Sequence, residues 1–473
     1  MIRLEEAIEV PRPIAEVFHY TSDFGNAAQW DPGVAESRKV SKGPIAVGTE
    51  FELRVRFGPR SIPMTYVVRE YAPPMRVVLE GRGDSIHALD AIAFASIPGG
   101  TRITYTAEIS ILGAFSVAEP LLNGALDRVG KNAVRGLQIA LSGDPPSPAR
   151  SLRTDLQDCL ILPGVLGFTS AGYRWHKRSW KPMAVSLHGR TVVITGATSG
   201  LGRAAALQLA ELGARVILVG RDRDKAEAAR REIVATTGND NVAVALADLS
   251  LLKDVRKLAR RLLDTEPQIH VLVNNAGVLL NERTTTTEGN ETTLATNLLA
   301  PYLLTQLLLP RLRASAPSRI INVSSGGMYT AGLALDDLQY EKGAYNGSRA
   351  YARTKRALVT LTETWAAQLE NSGVVANSMH PGWADTPGVA SSLPGFHSIT
   401  RRLLRTAEQG ADTITWLAAA PEAAKVSGAF WLDREPHTTH VFPGTDPSPQ
   451  ERQQLWNALA KLTGWKEAGA GAR

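Results

Sequence analysis

The most informative stretch of the sequence is Thr191-Val192-Val193-Ile194-Thr195, followed directly by Gly196-Ala197-Thr198-Ser199-Gly200-Leu201-Gly202. The apolar run predicts a buried strand, and the glycines after it predict a tight turn into a helix. Such a turn lets the backbone approach a pyrophosphate, while the helix N-terminus offers unpaired N–H groups and a positive partial charge. Because a glycine turn also occurs in simple strand-to-helix connections, a dinucleotide site needs support from elsewhere in the chain.

From about Leu187 onward the chain alternates short apolar segments with helical ones. Strands are predicted at 191–195, 215–219, 242–247, 270–274 and 319–324, and helices at 204–212, 224–236 and, near the end of the chain, 449–462. Near-continuous apolar strands with helices between them are typical of a parallel sheet covered on both faces. The sequence therefore predicts an α/β fold with a doubly wound parallel sheet of the Rossmann type.

A phenol and an ammonium follow at helical spacing. Tyr351 and Lys355 are four residues apart, so they are predicted to share one face of a helix. A free phenol titrates at about pH 10, which makes it a poor base at neutral pH. We expect the neighbouring ammonium and a cofactor ribose to lower the pKa of Tyr351 into the working range. Taken alone, such a pair is more often a solvated helix face.

Together, these motifs resemble the short-chain dehydrogenase/reductase family, in the order in which that family carries them. The resemblance rests on Thr-Gly-x-x-x-Gly-x-Gly at 195–202, Asn274-Asn275-Ala276-Gly277, the serines after strand 319–324, and Tyr-x-x-x-Lys at 351–355. It implies a catalytic set of Asn297, Ser325, Tyr351 and Lys355, with Ser325 rather than Ser324 holding the substrate oxygen. For Asn274, the simpler interpretation is that its side chain satisfies backbone groups and steadies the sheet. The implied cofactor contacts are Thr195, Gly196, Ser199, Gly200, Leu201, Gly202, Arg221, Asp248, Leu249, Asn275, Ala276, Gly277, Tyr351, Lys355, Pro381, Gly382 and Thr386.

The end of the second strand of this sheet bears on the choice of cofactor. An acid there would bond a ribose 2′-hydroxyl and repel a 2′-phosphate, whereas an arginine pairs with that phosphate. Here Gly220 is followed by Arg221 and Asp222. The sequence therefore favours NADP(H) over NAD(H), with Asp222 as the residue that argues for NAD(H).

Segments 324–328, 379–389 and 409–413 resemble an orphan animal member of the same family, related to its retinol dehydrogenase branch. The resemblance implies a small lipophilic carbonyl or alcohol as substrate. It gives no redox direction.

The first 141 residues have a different pattern, with alternating strands such as 51–57 and 103–109 and a long amphipathic helix at 121–140. This α+β arrangement and the segments 14–18, 21–24 and 29–32 resemble the START-like polyketide cyclase and lipid-transport family. The resemblance implies a helix-grip fold with an antiparallel sheet and a lipophilic cavity. For Phe18, Phe24 and Trp30 taken singly, core packing is the simpler interpretation.

Four regions are predicted. They are a helix-grip domain at 1–145, a linker and helical collar at 146–185, the dehydrogenase/reductase domain at 186–443, and a C-terminal helix and tail at 444–473. The proline-rich stretch 142–150 supports the first boundary because it is stiff and poor at burying surface.

Bulk properties exclude several classes of partner. The 473-residue chain has a formal net charge of +6, but without a basic block or aromatic ladder no nucleic-acid partner is expected. A single cysteine, Cys159, predicts a reducing, cytoplasmic location. No segment approaches the roughly 20 apolar residues of a spanning helix, although 160–168 leaves weak peripheral membrane contact open. His437 and His440 lack a carboxylate partner, so no metal is expected. The sequence does not decide whether the chain forms homo-oligomers.

Two rival classes remain at the level of sequence. One is a binding protein that senses NADPH and a lipid without turnover, against which the set of Ser325, Tyr351 and Lys355 argues. The other is a pure lipid carrier, which would require the second domain to be inert toward nucleotide.

Overall fold

The computed structural model describes residues 2–31, 33–57, 60–83, 86–111, 133–134, 136–138, 140–141, 167–385, 400, 403–439 and 447–466. The chain divides into two compact units, Met1–Ile161 and Leu162–Arg473. The predicted proline-rich linker at 142–150, Cys159, and residues 121–132, 135 and 139 of the predicted closing helix lie outside the described residues. Among the described helices, none is long and apolar enough to cross a membrane.

The described part of unit 1 is an antiparallel sheet with two short helices. Its strands are β1 (Ile2–Val10), β2 (Val34–Lys39), β3 (Glu50–Phe57), β4 (Arg60–Ala72), β5 (Arg76–Arg82), β6 (Ile86–Ile97) and β7 (Gly100–Ile111). They are ordered β1-β7-β6-β5-β4-β3-β2. Helices α1 (Ile14–Ser22) and α2 (Ala27–Trp30) connect β1 to β2. The predicted α+β domain with an antiparallel sheet is confirmed.

Alternation along the strands builds the core of unit 1, because successive side chains point to opposite faces of a sheet. Phe51 and Leu53 on β3 are buried, and so are Ile103 and Tyr105 on β7. Described helical residues near position 137 add Ala133, Val134, Leu137 and Leu141 to the same core. Phe18, Phe24 and Trp30 are each 3% exposed, so the core-packing interpretation of these aromatic residues fits the structure.

One carboxyl group lies within this apolar core. Asp90 on β6 is 5% exposed, and it accepts hydrogen bonds from the hydroxyls of Tyr66 and Tyr105. Burial raises the pKa of Asp90 to about 7, although the two phenols oppose the rise. The stability of unit 1 should therefore depend on the protonation of Asp90 near neutral pH.

The described part of unit 2 is a mainly parallel sheet with helices between the strands. The strands are β8 (Thr191–Thr195), β9 (Arg215–Gly220), β10 (Val242–Leu246), β11 (Val271–Asn274), β12 (Ser318–Val323), β13 (Val374–Met379), β14 (Phe430–Leu432) and β15 (Glu435–His437). They are ordered β10-β9-β8-β11-β12-β13-β14-β15. All neighbours pair in parallel except β14 and β15. The predicted Rossmann-type sheet is confirmed.

Helices of unit 2 follow the strands in alternation. They are α3 (Ser170–Lys177), α4 (Gly200–Glu211), α5 (Arg223–Thr237), α6 (Leu252–Thr265), α7 (Thr292–Leu294, the π-helical Ala295–Leu299 and Ala300–Ala314, in one continuous run), α8 (Gly347–Gln368), α9 (Ala407–Ala419) and α10 (Pro449–Thr463). Helix α3 falls in the predicted collar. Helix α4 begins four residues before its predicted start, because its first turn is made of the glycine motif rather than of strong helix formers.

The C-terminal helix is part of the core of unit 2. Leu455 and Leu459 of α10 are buried with α7 and α8, and the ring of Trp456 meets that of Tyr302 edge to face at 5.3 Å. The amphipathic pattern predicted for this helix therefore has its apolar face against the domain.

Candidate active site

The glycine turn between β8 and α4 is tightly packed. Gly196 has a φ of +64°, and a Cβ there would lie 2.9 Å from the Cα of Ala276. A Cβ on Gly202 would collide with the carbonyl oxygen of Gly196. Both positions therefore require glycine, one for its left-handed backbone and the other for the close approach of helix to turn.

Thr195 and Asn275 hold this turn in place. Thr195 Oγ1 accepts from the backbone N–H groups of Asn275 and Ala276, at 2.9 and 3.0 Å. In return, Asn275 Nδ2 donates to the carbonyls of Thr195 and Gly196, at 2.8 and 3.2 Å. These two predicted cofactor residues thus link the ends of β8 and β11.

The N-terminus of α4 is suited to an anion. Ser199 is the N-cap residue, and its side chain makes no capping hydrogen bond. The first turn contains no acidic residue, and Leu201 lines the adjoining cleft. Orphan N–H groups and the helix dipole favour a phosphate at this end. The glycine turn and the N-terminus of α4, with Ser199, together fit a dinucleotide pyrophosphate.

At the end of β9, Arg221 and Asp222 differ in exposure and in hydrogen bonding. Asp222 caps α5 by accepting from the backbone N–H of Lys225 at 3.1 Å, and this hydrogen bond lowers the pKa of Asp222. Arg221 is exposed and forms no ion pair with a described residue. A Cβ on Gly220 would collide with the side chain of Thr198, so a carboxylate could not simply replace that glycine.

Asp248 and Leu249 follow β10, and Asn274 is the last residue of β11. Asp248 Oδ1 accepts from the backbone N–H and the hydroxyl of Ser250, at 2.9 and 2.7 Å, and Leu249 is 9% exposed. Asn274 Nδ2 donates to Asn322 Oδ1 at 2.8 Å and to Thr305 Oγ1 at 3.1 Å. These bonds, one to β12 and one to α7, agree with the steadying role expected of Asn274.

A cleft of about 580 Å³ opens at the carboxyl ends of β11, β12 and β13. Ser325 and Tyr351 line it, and the Ser325 hydroxyl lies near enough to the phenol to oppose the rise in the pKa of Tyr351 that burial causes. The hydroxyl of Ser324 instead donates to the carbonyl of Lys355 at 3.0 Å. Of the two serines, Ser325 is therefore the one whose hydroxyl faces the phenol.

The side chains of Lys355 and Asn297 both approach Gly277. A Cβ on Gly277 would be 3.3 Å from both Lys355 Nζ and Asn297 Oδ1. Asn297 is fully buried in the π-helical part of α7, and its Nδ2 donates to Val278 O at 2.9 Å while its Oδ1 accepts from Val278 N at 2.8 Å. π-Helical turns free backbone carbonyls and recur at functional sites. The structure thus brings the four predicted catalytic residues together.

The expectation that Lys355 lowers the pKa of Tyr351 is wrong for the protein groups alone. Burial raises the pKa of Tyr351, and the group that opposes this rise is the hydroxyl of Ser325. Lys355 Nζ lies 5.6 Å from the centre of the phenol ring and donates to Val323 O at 2.8 Å. Burial lowers the pKa of Lys355 to about 8. The contribution expected from a cofactor ribose stays a prediction.

Pro381, Gly382, Trp383 and Ala384 line the far side of the cleft. Gly382 donates its N–H to Nδ1 of His380 at 2.7 Å. Thr386, predicted to bond the nicotinamide carboxamide, and His440 lie outside the described residues. Three further residues beside this segment, Phe168, His380 and Arg405, were not singled out in the sequence. They are far apart along the chain and share no spacing that a pattern could detect.

Comparisons with known proteins agree with this geometry. Residues 190–394 match the family described as short chain dehydrogenase, and residues 1–140 match polyketide cyclase / dehydrase and lipid transport. Dehydrogenase/reductase SDR family member 12 of Bos taurus is 42% identical over 303 residues, which cover 63% of the chain and 95% of the relative. Retinol dehydrogenase 13 of Homo sapiens is 37% identical over 292 residues, covering 60% and 87%.

Proposed function

The chain belongs to the short-chain dehydrogenase/reductase family, and from this we propose that it transfers hydride between NADP(H) and a lipophilic carbonyl or alcohol. Its place in the family makes it an oxidoreductase that acts on CH–OH groups with NAD(P). Its N-terminal domain is of the polyketide cyclase/dehydrase and lipid transport type. The observation that carries the proposal is the placement of Ser325 beside Tyr351 in one cleft with Lys355.

Each catalytic residue has a task that its position supports. Ser325 orients the substrate oxygen, and Tyr351 gives that oxygen a proton during reduction or removes one during oxidation. Lys355, held by Val323 O, places its ammonium near the phenol, where it would bond the ribose hydroxyls of a bound cofactor. Asn297 fixes the loop at Val278, beside Lys355. NADP(H), when bound, supplies the hydride donor or acceptor.

The preference for NADP(H) is supported by the end of β9. Asp222 already caps α5, so its carboxylate is engaged away from a ribose. Arg221 is exposed beside it, and a guanidinium pairs well with a 2′-phosphate. The remaining predicted contacts, from Asp248, Leu249 and the Pro381 to Thr386 segment, belong to the same proposal.

We further propose that the substrate is lipophilic and that the domain at 1–145 binds a hydrophobic ligand. Relatives named retinol dehydrogenase support the first part, and the family match of residues 1–140 supports the second. Boundaries near residues 145, 185 and 443 belong to this proposal. The cytoplasmic location and a homo-oligomeric state stay predictions from the sequence.

The test compares Tyr351→Phe with the unsubstituted chain, using NADPH and all-trans-retinal as a probe substrate. Loss of the general acid should lower kcat/KM by about 10²- to 10⁴-fold, with the NADPH Kd within a few-fold of the parent. Tyr345→Phe serves as a control because its hydroxyl donates to Glu291 rather than into the cleft. A parent chain that binds NADPH but turns over no carbonyl in a wider lipophilic panel would favour the sensing protein instead.

A further inference from the structure

A buried arginine lies beside the cleft, outside the residues assigned to catalysis or cofactor binding. Arg405 is 1% exposed and forms a bidentate ion pair with Asp433, with N–O distances of 2.6 and 2.7 Å. Its guanidinium also donates to the carbonyls of Gly167, Phe168 and Thr169, at 2.6, 3.1 and 3.3 Å. A buried charge is tolerated only when it is paired and hydrogen-bonded in this way.

Backbone hydrogen bonds connect the same arginine to the wall of the cleft. Arg405 N donates to Trp383 O and Trp383 N donates to Phe168 O, both at 2.7 Å. Asp385 N donates to Arg405 O at 2.8 Å. A Cβ on Gly382 would collide with the guanidinium. The collar residues 167–169 and the segment 381–385 are thus held together through Arg405.

A second contact links the collar to His380, which packs beside the residue after Ser325. The ring of Phe168 lies 4.5 Å from that of His380, centre to centre. Burial lowers the pKa of His380 to about 3, so the ring is neutral, and because Nδ1 accepts from Gly382, the proton is on Nε2. A Cβ on Gly326, the residue after Ser325, would collide with this Nε2. The collar therefore supports both walls of the cleft.

The turn that supplies Asp433 is strained. Asp433 and Arg434 have φ values of +52° and +62°, in a two-residue hairpin turn where Asn-Gly is the usual choice. Both side chains are engaged, because Asp433 also meets His176 Nδ1 at 2.9 Å and Arg434 pairs with Asp412 at 2.7 and 2.8 Å. Left-handed backbone at non-glycine residues persists where the surroundings fix it, often near functional sites.

We propose that Arg405 is a positioning residue that fixes Gly382 and Trp383 against the cleft, so that the collar is part of the cofactor site. The inference rests on the proposed function, because that function assigns the cofactor contact to Pro381 and Gly382. It goes beyond that assignment by making residues that precede the glycine turn necessary for the site.

Arg405→Lys is the test, since lysine keeps the charge but not the fork of donors. We expect the Kd for NADPH, measured by fluorescence titration, to rise about tenfold. Without nucleotide, we expect faster hydrogen exchange at the Trp383 amide, which bonds to the collar. The matched control is Arg434→Lys, which breaks a similar bidentate pair on the same turn but does not contact 381–385. It should leave both measurements within about twofold of the parent.

Equal effects from the two variants would overturn the proposal, as would an unchanged NADPH Kd and Trp383 exchange rate in Arg405→Lys. If Arg405→Lys does not fold, Phe168→Leu takes its place, since it keeps the ion pair and removes only the ring over His380. For that variant an unchanged NADPH Kd and exchange rate would be the refuting result. If the unsubstituted chain binds no NADPH, the proposed function fails, while the exchange measurement still decides the positioning role.

Discussion

Replacing Lys355 with methionine should make the protein more stable while removing its activity. Lys355 is 2% exposed, and its ammonium forms no ion pair with a carboxylate in the described ranges. Its hydrogen bond to Val323 O, at 2.8 Å, replaces only part of the water it loses on folding. Burial accordingly lowers the pKa of Lys355 from 10.5 to about 8. Methionine has a similar length and carries no charge to desolvate.

The size of the effect follows from this shift in pKa. Lowering the pKa by roughly two and a half units corresponds to about 3 kcal/mol of unfavourable free energy while the lysine is charged. Losing the hydrogen bond to Val323 costs about 1 kcal/mol. We therefore expect Lys355→Met to raise the free energy of unfolding at pH 7 by roughly 2 kcal/mol.

The sign of the pH dependence is fixed as well. Because the folded pKa lies below the unfolded one, the unfolded chain binds more protons between pH 8 and 10.5. The parent therefore gains stability as the pH rises through this window, and the advantage of Lys355→Met should vanish by about pH 10.

Urea denaturation of both proteins without nucleotide, at pH 7 and pH 10, measures the difference. Lys257→Met is the control, since that side chain is 74% exposed and its loss should change stability by less than about 0.5 kcal/mol. A Lys355→Met protein that is less stable than the parent at pH 7, or a difference that is the same at both pH values, would refute the reasoning.

Three further changes test other parts of the structure. Arg221→Ser should raise the Kd for NADPH by about 10- to 100-fold, the worth of a charge-assisted hydrogen bond, and leave that for NADH unchanged; equal loss for both nucleotides in fluorescence titrations would contradict the role of Arg221. Gly202→Ala should lower the free energy of unfolding by about 1–3 kcal/mol, because the methyl group collides with Gly196 O, and thermal unfolding checks this. In Asp90→Asn, the stability of unit 1 should no longer fall as the pH rises from about 4 to about 7. In the parent it should fall by about 3 kcal/mol as the pH rises through that window, because burial raises the folded pKa of Asp90 to about 7. Fluorotryptophan NMR of Trp30, the only tryptophan before residue 162, reports on this unit, and an unchanged slope in Asp90→Asn would show that another group is responsible.

Residues joined by local spacing could be predicted from the sequence. The strand and turn at 191–202 are contiguous, and Tyr351 and Lys355 share a helix face because an α-helix turns every 3.6 residues. Once the parallel sheet was predicted, the strand ends that carry Asn275 and Ser325 had to meet at one edge. The choice of Ser325 over Ser324 came only from resemblance, and the bond from Ser324 to Lys355 O supports it.

Contacts between distant residues could not be predicted, because they depend on register and on closure of the fold. Asp433 lies 28 residues from Arg405 and 257 from His176, and nothing in the intervening sequence signals either pair. In unit 1, Asp90 meets Tyr66 and Tyr105 only because the four strands β4 to β7 pair in one register. A slip of one residue would turn the carboxyl group to the opposite face of the sheet.

The pKa of Tyr351 depends both on local spacing and on burial in the folded chain. Spacing alone places an ammonium near the phenol and predicts a lower pKa, since opposite charges attract. Burial acts on both groups at once and disfavours the phenolate and the ammonium alike, so the pKa of Tyr351 rises while that of Lys355 falls. A charge pair in such a site becomes favourable only when further polar groups compensate both charges. The Ser325 hydroxyl supplies part of this compensation, and hydroxyl and phosphate groups of a bound dinucleotide are the chemistry that would complete it.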